Sequence, residues 1–453
     1  MKNNRHLYKQ LLVIGVPITL QCIMQSLLPI IDELMVGQFG DNAISSITAG
    51  NRIYNIFYFI VLALAGATSI YVTQFWGNKK SENIPKAFKL PFIIGFITLA
   101  VYLGIAFLLP TQSVNLFSND AEIIANAAEI QKIYALSAIP VLFSNMFATL
   151  LRSTKQVKAP MFCGIFSVVL NTVLNYILIF GFYAIPSMTI YGAAWATLIA
   201  RVVEALLLAG YIYIVKRNIS FNLFKILTAK VDKEFKKVYY NSMLPLLTLN
   251  ILFVVADTVY SAIYGQMSSA DLAAASIMFP IQSFSIGLFN GMASATAIIL
   301  GNELGKENFD TAILYSKKII RITTLLCLCV SVLLACFSFT YVSLFEVSDE
   351  VMHSATLLIM VSAAYLTVKV LNMVTCQGII QSGGDTKYIL FLDIVGPWGV
   401  GIPMALLGTY VLHFPIYIVF AMLSIEEVVR LVLALIKVNK HQWATNIVSD
   451  LKV

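Results

Sequence analysis

Long apolar segments recur along the whole chain and are separated by short polar ones. Each has about 18 residues or more, enough for a helix to cross a bilayer core of about 30 Å. The pattern of apolar segments predicts twelve membrane-spanning helices. No polar stretch between them is long enough for a separate catalytic domain. Their predicted limits are roughly 10–36, 48–75, 90–112, 123–150, 160–182, 189–216, 238–264, 270–300, 314–340, 351–378, 388–411 and 415–438.

Composition supports an all-α membrane protein. Hydrophobic residues make up 59% of the 453 residues and charged residues 12%, whereas a soluble domain has about 25% charged residues. The net charge of +7 is therefore carried by an apolar chain, which excludes a nucleic-acid binder and a disordered protein. The six cysteines lie within apolar segments, where we expect buried hydrophobic side chains rather than metal ligands.

The basic residues are unevenly distributed among the predicted loops. The even-numbered loops and both terminal segments contain most of the lysines and arginines, whereas the odd-numbered loops contain none. The positive-inside rule then predicts that both termini are cytoplasmic. The alternation also supports an even number of spans. The short N-terminal segment is typical of a bacterial inner-membrane protein.

The two halves of the chain resemble each other at an offset of 228 residues. The matching positions are Pro17 and Pro245, Gly37 and Gly265, Gln38 and Gln266, Thr68 and Thr296, and Gly77 and Gly305. This predicts a six-helix lobe over 1–216, a cytoplasmic linker over 217–237 and a second lobe over 238–453. Because six is even, the lobes are expected to be related by a pseudo-two-fold axis along the membrane normal, with a cavity between them.

Several short sequence segments resemble those of a known family. They are residues 31–40 (IDELMVGQFG), 264–267 (YGQM), 151–155 (LRSTK), 381–386 (QSGGDT), 171–181 (NTVLNYILIFG) and 192–197 (GAAWAT). Together they resemble the multidrug and toxic compound extrusion (MATE) transporters. The resemblance implies two six-helix lobes and export of bulky cationic and aromatic compounds, driven by inward proton or sodium flow.

Asp32 is the main candidate for ion coupling, because a carboxylate inside a span is expensive and is usually functional. It lies in the first span just after Pro29, and the family resemblance places its acid here. Asn145, Asn171, Asn175 and Thr197 are expected to lie around it, since amide and hydroxyl groups can hold a cation or a protonated acid. Two other interpretations remain: a water-facing acid, and polar contacts that join helices.

The second half departs from the pattern of sodium-coupled relatives. Those relatives carry glutamate in the seventh span and aspartate in the tenth, whereas the nearest residues here are Asn250 and Lys369. Asn175 likewise replaces an aspartate found in many relatives. Lys369 is predicted to pair with Asp257 or Asp393 or to stay neutral. These residues form a candidate polar site in the second half, and its lysine favours protons over sodium as the coupling ion. Asp257 or Asp393 is a candidate for a second acid that couples an ion or binds substrate.

Two charged pairs inside spans have helical spacing, Arg201 with Glu204 and Glu426 with Arg430, and are predicted to neutralise each other. Aromatic and methionine side chains are candidates for a substrate cavity through stacking and cation–π contact. They are Tyr54, Tyr58, Tyr260, Met278, Phe279, Phe284 and Phe289. The hinge candidates are Pro17, Pro29, Pro245 and Pro280.

The sequence therefore predicts a secondary multidrug exporter, functional as a monomer, without an enzymatic activity or an organic cofactor. No nucleotide-hydrolysing motif is visible, so an ion gradient has to drive uphill transport. The first alternative is a lipid-linked saccharide flippase of the same wider superfamily, which would need a basic cavity for phosphates. A membrane-embedded enzyme or receptor is a more distant alternative.

Overall fold

In the computed structural model the chain is described from residue 2 to residue 449, except for 118–119, 184, 216–225, 227 and 346. Every regular element among these residues is a helix. In the first half they are α1 (Lys2–Val36), α2 (Asp41–Gly77), α3 (Ile84–Leu108), α4 (Pro110–Val114), α5 (Ala121–Ser153), α6 (Lys158–Phe180) and α7 (Thr189–Val215). In the second half they are α8 (Lys233–Gly265), α9 (Ser269–Gly305), α10 (Phe309–Val342), α11 (Asp349–Met373), α12 (Thr386–Asp393), α13 (Ile402–Leu406), α14 (Ile416–Leu423) and α15 (Ile425–Asn439).

The described residues contain 11 continuous helical stretches that are long and apolar enough to cross a membrane. The predicted twelfth span, 415–438, is helical but divided into α14 and α15 at Ser424. The Ser424 hydroxyl donates to the carbonyl oxygen of Phe420 at 2.7 Å, a bond that competes with the regular backbone ladder. The twelfth apolar segment is therefore present as two helices in sequence.

The predicted end of the third span, 90–112, was wrong by about one helical turn. Helix α3 ends at Leu108, and the short α4 begins at Pro110. Leu109 between them has φ −132° and ψ 41°, because a proline disfavours helical geometry in the residue before it. Proline also has no N–H to continue the ladder.

The four prolines proposed as hinges all lie within continuous helices. Pro17 and Pro29 are in α1, Pro245 is in α8 and Pro280 is in α9. Pro17 and Pro245 are buried, whereas Pro280 is exposed. Their role as hinges stays a prediction.

The chain divides into two compact units. One contains Leu20–Tyr239, and the other contains Met1–Thr19 together with Tyr240–Asp450. The N-terminal part of α1 therefore belongs to the same unit as the C-terminal half of the chain. The predicted lobe limits, which place all of this helix in the first lobe, stay a prediction.

In the unit Leu20–Tyr239, α2 packs along α5, and α7 packs against both α5 and α6. A glycine allows the first of these contacts. A Cβ atom on Gly50 would lie 2.9 Å from the carbonyl oxygen of Ala127, so any larger residue would push α2 away from α5. Small residues at such crossings let membrane helices approach closely.

The other unit is built around α11, which packs against α9, α10, α14 and α15. One hydrophobic cluster in this unit includes Tyr264, Met278, Leu358 and Val419. A second close approach joins α1 to α9, where a Cβ atom on Gly291 would collide with the Thr19 side chain and the Gly15 carbonyl oxygen. The Thr19 hydroxyl donates to the carbonyl oxygen of Leu288 at 3.4 Å.

Candidate functional site

Asp32 lies in the last turns of α1 and is part of a polar cluster formed with α6 and α7. The Asn175 side-chain amide donates to the Asp32 carboxylate. It also donates to Oδ1 of Asn171 at 3.1 Å, and Nδ2 of Asn171 lies 3.3 Å from the Thr197 hydroxyl. The structure therefore brings together Asp32, Asn171, Asn175 and Thr197, as the sequence predicted.

Local geometry explains why these side chains meet. Asn171 and Asn175 are four residues apart on α6 and so project from one face. Gly192 at the start of α7 allows the two helices to touch, since a Cβ atom there would lie 2.6 Å from the backbone carbonyl carbon of Leu178. Thr197 lies five residues further along α7 and reaches the asparagine face of α6.

The amides offer both hydrogen-bond donors and acceptors to Asp32. Rotating the Asn171 amide by half a turn places its nitrogen 3.2 Å from Oδ1 of Asp32 and its oxygen 3.2 Å from the Thr197 backbone nitrogen. Asn175 is fully buried, with 0% exposure, and its Oδ1 atom has no hydrogen-bond partner among the described residues. The cluster therefore retains an acceptor for a proton or a small cation.

Asn145 occupies a different place from the other predicted ion-site residues. Its amide donates to the carbonyl oxygen of Val141 on its own helix at 2.9 Å. In this structure it therefore bonds to its own helix rather than to the cluster.

The Asp32 cluster borders a cavity of about 500 Å³ within the unit Leu20–Tyr239, a size typical of small-molecule sites. Two of the predicted substrate-contacting side chains, Tyr54 and Tyr58, line it. The complete lining is Gln25, Leu28, Asp32, Glu33, Val36, Ile44, Ile47, Thr48, Asn51, Arg52, Tyr54, Asn55, Tyr58, Tyr134, Ala193, Thr197 and Arg201.

The cavity wall carries two acidic and two basic side chains. Arg201 pairs with Glu204 at 2.9 Å, which confirms the predicted intrahelical pair. Glu33, adjacent to Asp32 in the sequence, is exposed and lines the same cavity. Arg52 was not among the predicted site residues, although an arginine inside a predicted apolar span usually marks a functional site.

The remaining predicted substrate residues lie in the other unit. Met278 and Phe289 are buried in hydrophobic clusters, with 1% and 5% exposure, so neither is available to a substrate here. Phe279 and Phe284 are exposed. Tyr260 packs beside the cluster that contains Met278 and bonds to a glutamate described below.

An ion network in this unit corrects the predicted pairing of Lys369. Lys369 faces Glu427, with 3.9 Å between Nζ and Oε1, rather than Asp257 or Asp393. Asp393 pairs with Arg430 instead, and Asp257 is exposed. The sequence could not show this, because the partners come from three separate helices.

Glu426 was also predicted wrongly. It accepts a hydrogen bond from the Tyr260 hydroxyl at 2.6 Å, whereas Arg430 contacts Glu427 at 3.7 Å. A Cβ atom on Gly401 would collide with the ends of the Glu426 and Tyr260 side chains, so a larger residue there would displace at least one of them. Gly401 ends a π-helical segment, Ile394–Gly401, and such wide turns are frequent at functional sites.

Asn372 completes the network around Glu427. Its Nδ2 atom donates to Oε2 of Glu427 at 2.7 Å and to the Glu427 backbone oxygen at 2.6 Å. The network thus contains three carboxylates and two cationic side chains. Glu426 is the carboxylate with no cation within 4.0 Å among the described residues. Asn250, the other predicted polar residue in this unit, is partly buried on α8.

The chain is similar in sequence to a known protein family. The MatE family model matches residues 17–177 and 245–407, which confirms the resemblance found in the sequence. The uncharacterized transporter YisQ of Bacillus subtilis is 24% identical over 91% of this chain and 90% of its own length. The probable multidrug resistance protein NorM of Photorhabdus laumondii is 24% identical over 87% of this chain and 86% of its own length.

Solved structures show the same fold. An outward-facing multidrug resistance MATE family transporter of the MOP superfamily matches with a TM-score of 0.85 and 18% identity over 96% of this chain and 97% of that chain. A MATE crystal structure in complex with MaL6 matches with a TM-score of 0.86 and 17% identity over the same shares. The predicted fold class, an all-α membrane protein with twelve helices in two lobes, is confirmed.

Proposed function

This chain belongs to the MatE family of transporters, and on that premise we propose that it is a secondary active multidrug exporter. It exchanges bulky cationic or aromatic compounds, moving outward, for protons moving inward. The observation that carries the proposal is the Asp32 cluster on the wall of a cavity of ligand size. The multidrug resistance proteins among its relatives support the same conclusion.

Asp32 is the proposed coupling group because its surroundings can serve both of its protonation states. When Asp32 is ionised, the Asn175 amide nitrogen donates to it. When Asp32 is protonated, half a turn of the Asn175 amide would turn its oxygen, which has no partner among the described residues, toward the new O–H. Binding of a proton and binding of a cationic substrate then exclude each other, since each neutralises the same carboxylate.

Protons are favoured over sodium as the coupling ion. The cluster supplies one carboxylate and neutral amide and hydroxyl oxygens, whereas small hard cations favour sites with more carboxylate charge. In the other unit, Lys369 and Arg430 already occupy the carboxylates Glu427 and Asp393. A sodium ion there would have to displace or oppose a positive side chain.

The proposed alternating access involves a change in the shape of α1, whose two parts belong to different compact units. The division between the two units falls between Thr19 and Leu20, close to the buried Pro17. We propose that this part of α1 bends when Asp32 changes its protonation state. The proposed setting is the cell membrane, with both termini cytoplasmic and the monomer as the working unit.

A lipid-linked saccharide flippase is the alternative from the same superfamily. It would need a basic cavity for phosphate groups. The cavity found here has two acidic residues, Asp32 and Glu33, beside Arg52 and Arg201. Arg201 is further neutralised by Glu204, so the charge balance favours an exporter.

The test is efflux of the fluorescent cation rhodamine 123 from proteoliposomes, with a proton gradient or a sodium gradient imposed separately. We expect proton-driven efflux by the wild type and none by Asp32→Asn. Asp232→Asn, which changes an exposed aspartate outside the site, is the matched control and should export normally. Full export by Asp32→Asn would refute the coupling role, and efflux driven only by sodium would refute the choice of ion.

A further inference from the structure

The segment that follows α15, residues 440–449, folds back onto the turn 383–385 that precedes α12. His441 reverses the chain at the end of α15 with φ +56°, in the left-handed region that favours glycine. Such a strained conformation persists where surrounding contacts hold it. The contacts that hold this one are made by the residues after His441.

The backbone of the segment lies directly against the backbone of the turn. A Cβ atom on Gly383 would lie 1.7 Å from the Trp443 carbonyl oxygen, and one on Gly384 would lie 3.1 Å from the Ile447 side chain. The Thr445 hydroxyl donates to the Gly383 carbonyl oxygen at 2.5 Å. Any side chain at position 383 would therefore push the segment away.

Two apolar side chains of the segment are fully buried. Trp443 and Val448 each have 0% exposure. The Trp443 Nε1 atom has no hydrogen-bond partner among the described residues, so apolar packing holds the indole ring in place. Burial of a tryptophan removes a large apolar area from water, which gives the segment a driving force for docking.

The last turns of α15 are joined to the first turn of α12 beside the docked segment. Lys437 pairs with Asp385 at 2.7 Å, and its Nζ atom lies 4.7 Å from the centre of the Tyr388 ring. The Tyr388 hydroxyl donates to the Leu433 carbonyl oxygen at 2.9 Å. Asp385 also caps α12, because its carboxylate accepts from the Tyr388 backbone N–H at 3.2 Å.

These contacts link the same three helices as the ion network of this unit. In that network Asp393 at the end of α12 pairs with Arg430 of α15, and Asn372 of α11 bonds to Glu427 of α15. Helix α12 has only 8 residues, with the π-helical segments Val374–Ile380 and Ile394–Gly401 on either side of it in the chain. A helix this short depends on outside contacts for its stability.

We propose that residues 440–449 form an intramolecular clasp that keeps α11, α12 and α15 moving as one body, and that transport requires the clasp to be closed. Alternating access in carriers with repeated halves is largely a rigid-body movement, so a unit whose helices slide at one end transmits less of it. The Asp32 cavity belongs to the other unit, so the clasp is not needed for ligand binding there. The inference goes beyond the proposed function and uses its efflux assay as one readout.

Docking of the clasp is tested by limited trypsin digestion of the purified full-length protein in detergent. Lys440 is exposed, but cleavage after it requires the clasp to leave the turn 383–385, since proteolysis acts on the locally opened chain. Release of the peptide that begins at His441 is followed by mass spectrometry. The variant is Thr445→Val, and the matched control is Gln442→Ala, which changes an exposed residue of the same segment.

We expect Thr445→Val to release the peptide about two- to tenfold faster than the wild type, as for loss of one neutral hydrogen bond that holds the closed form. Gln442→Ala should keep the wild-type rate. Equal rates in the two variants, or cleavage of the wild type as fast as that of an unfolded chain, would overturn the clasp.

The role in transport is tested with a deletion of residues 441–453 and with Gly383→Ala, whose methyl group would meet the Trp443 backbone. We expect both to bind rhodamine 123 like the wild type, measured by fluorescence anisotropy, which also shows that they are folded. Both should lose most of the proton-driven efflux, whereas Gln442→Ala should export normally. Wild-type efflux by either variant would overturn the role in transport. If the wild type itself exports nothing under any gradient, the exporter assignment fails, and the trypsin result alone decides whether the clasp exists.

Discussion

The side-chain amide of Asn175 donates to the carboxylate of Asp32, joining the C-terminal end of α1 to the C-terminal part of α6. The oxygen of the same amide is buried without a partner among the described residues. The same side chain therefore offers Asp32 a donor when the acid is ionised and, after half a turn of the amide, would offer an acceptor when the acid is protonated. This relationship makes the choice of coupling ion testable at position 175.

Asn175→Asp should shift the exporter toward sodium dependence. The substitution places two carboxylates beside the oxygens of Asn171 and Thr197, which is a better donor set for a small cation. We expect sodium to stimulate efflux by the variant and to have little effect on the wild type, measured as dye efflux with and without a sodium gradient. Asn145→Asp, at an amide outside the cluster, is the control, and an equal sodium response in both variants would contradict the prediction.

Gly401→Ala should destabilise the unit that contains the C-terminal half of the chain. A methyl group there would collide with the ends of both side chains in the Tyr260–Glu426 hydrogen bond and displace at least one of them, and leaving a buried polar group without its partner costs about 1–3 kcal/mol. The measurement is the thermal unfolding midpoint in detergent. Gly399→Ala is the matched control two residues away, because a Cβ atom there has open space; similar midpoints for the two variants would argue against the contact.

Arg430→Met should be more damaging than a typical substitution within a span. It leaves Asp393 and Glu427 without their shared cation; loss of one partner of a fully buried ion pair costs about 3–5 kcal/mol, which is the upper limit for this partly buried pair. We expect a large drop in the unfolding midpoint. Adding Asp393→Asn to Arg430→Met should recover part of the loss, and a double variant no more stable than Arg430→Met alone would show that this pair is energetically unimportant.

Gly291→Ala should separate α1 from α9. The added methyl group would meet Thr19 and the backbone of Gly15, where α1 packs onto the unit containing the C-terminal half. We expect slower efflux together with a lower unfolding midpoint. Gly287→Ala, one turn earlier on the same helix with open space around its Cβ, should behave as wild type, and equal effects of the two variants would mean that the close approach is unimportant.

Several features of the protein were readable in the sequence because they depend on local patterns. Apolar length predicts the spans, since a bilayer requires about 20 apolar residues for each helix. The four-residue spacing of Asn171 and Asn175 predicts one polar face, and the cost of a charge in hydrocarbon singles out Asp32. The Arg201–Glu204 pair follows from helical geometry alone.

Other features were decided by tertiary packing. Glu426 and Arg430 have the spacing of an intrahelical pair, yet Glu426 bonds to Tyr260 and Arg430 binds Asp393. The break before Pro110, which the predicted third span missed, depends on local sequence, whereas these pairings do not, because several helices compete for the same charged groups. Gly401 leaves room for the Tyr260–Glu426 pair, and these three residues come from distant parts of the sequence, so their contact is decided only when the helices pack.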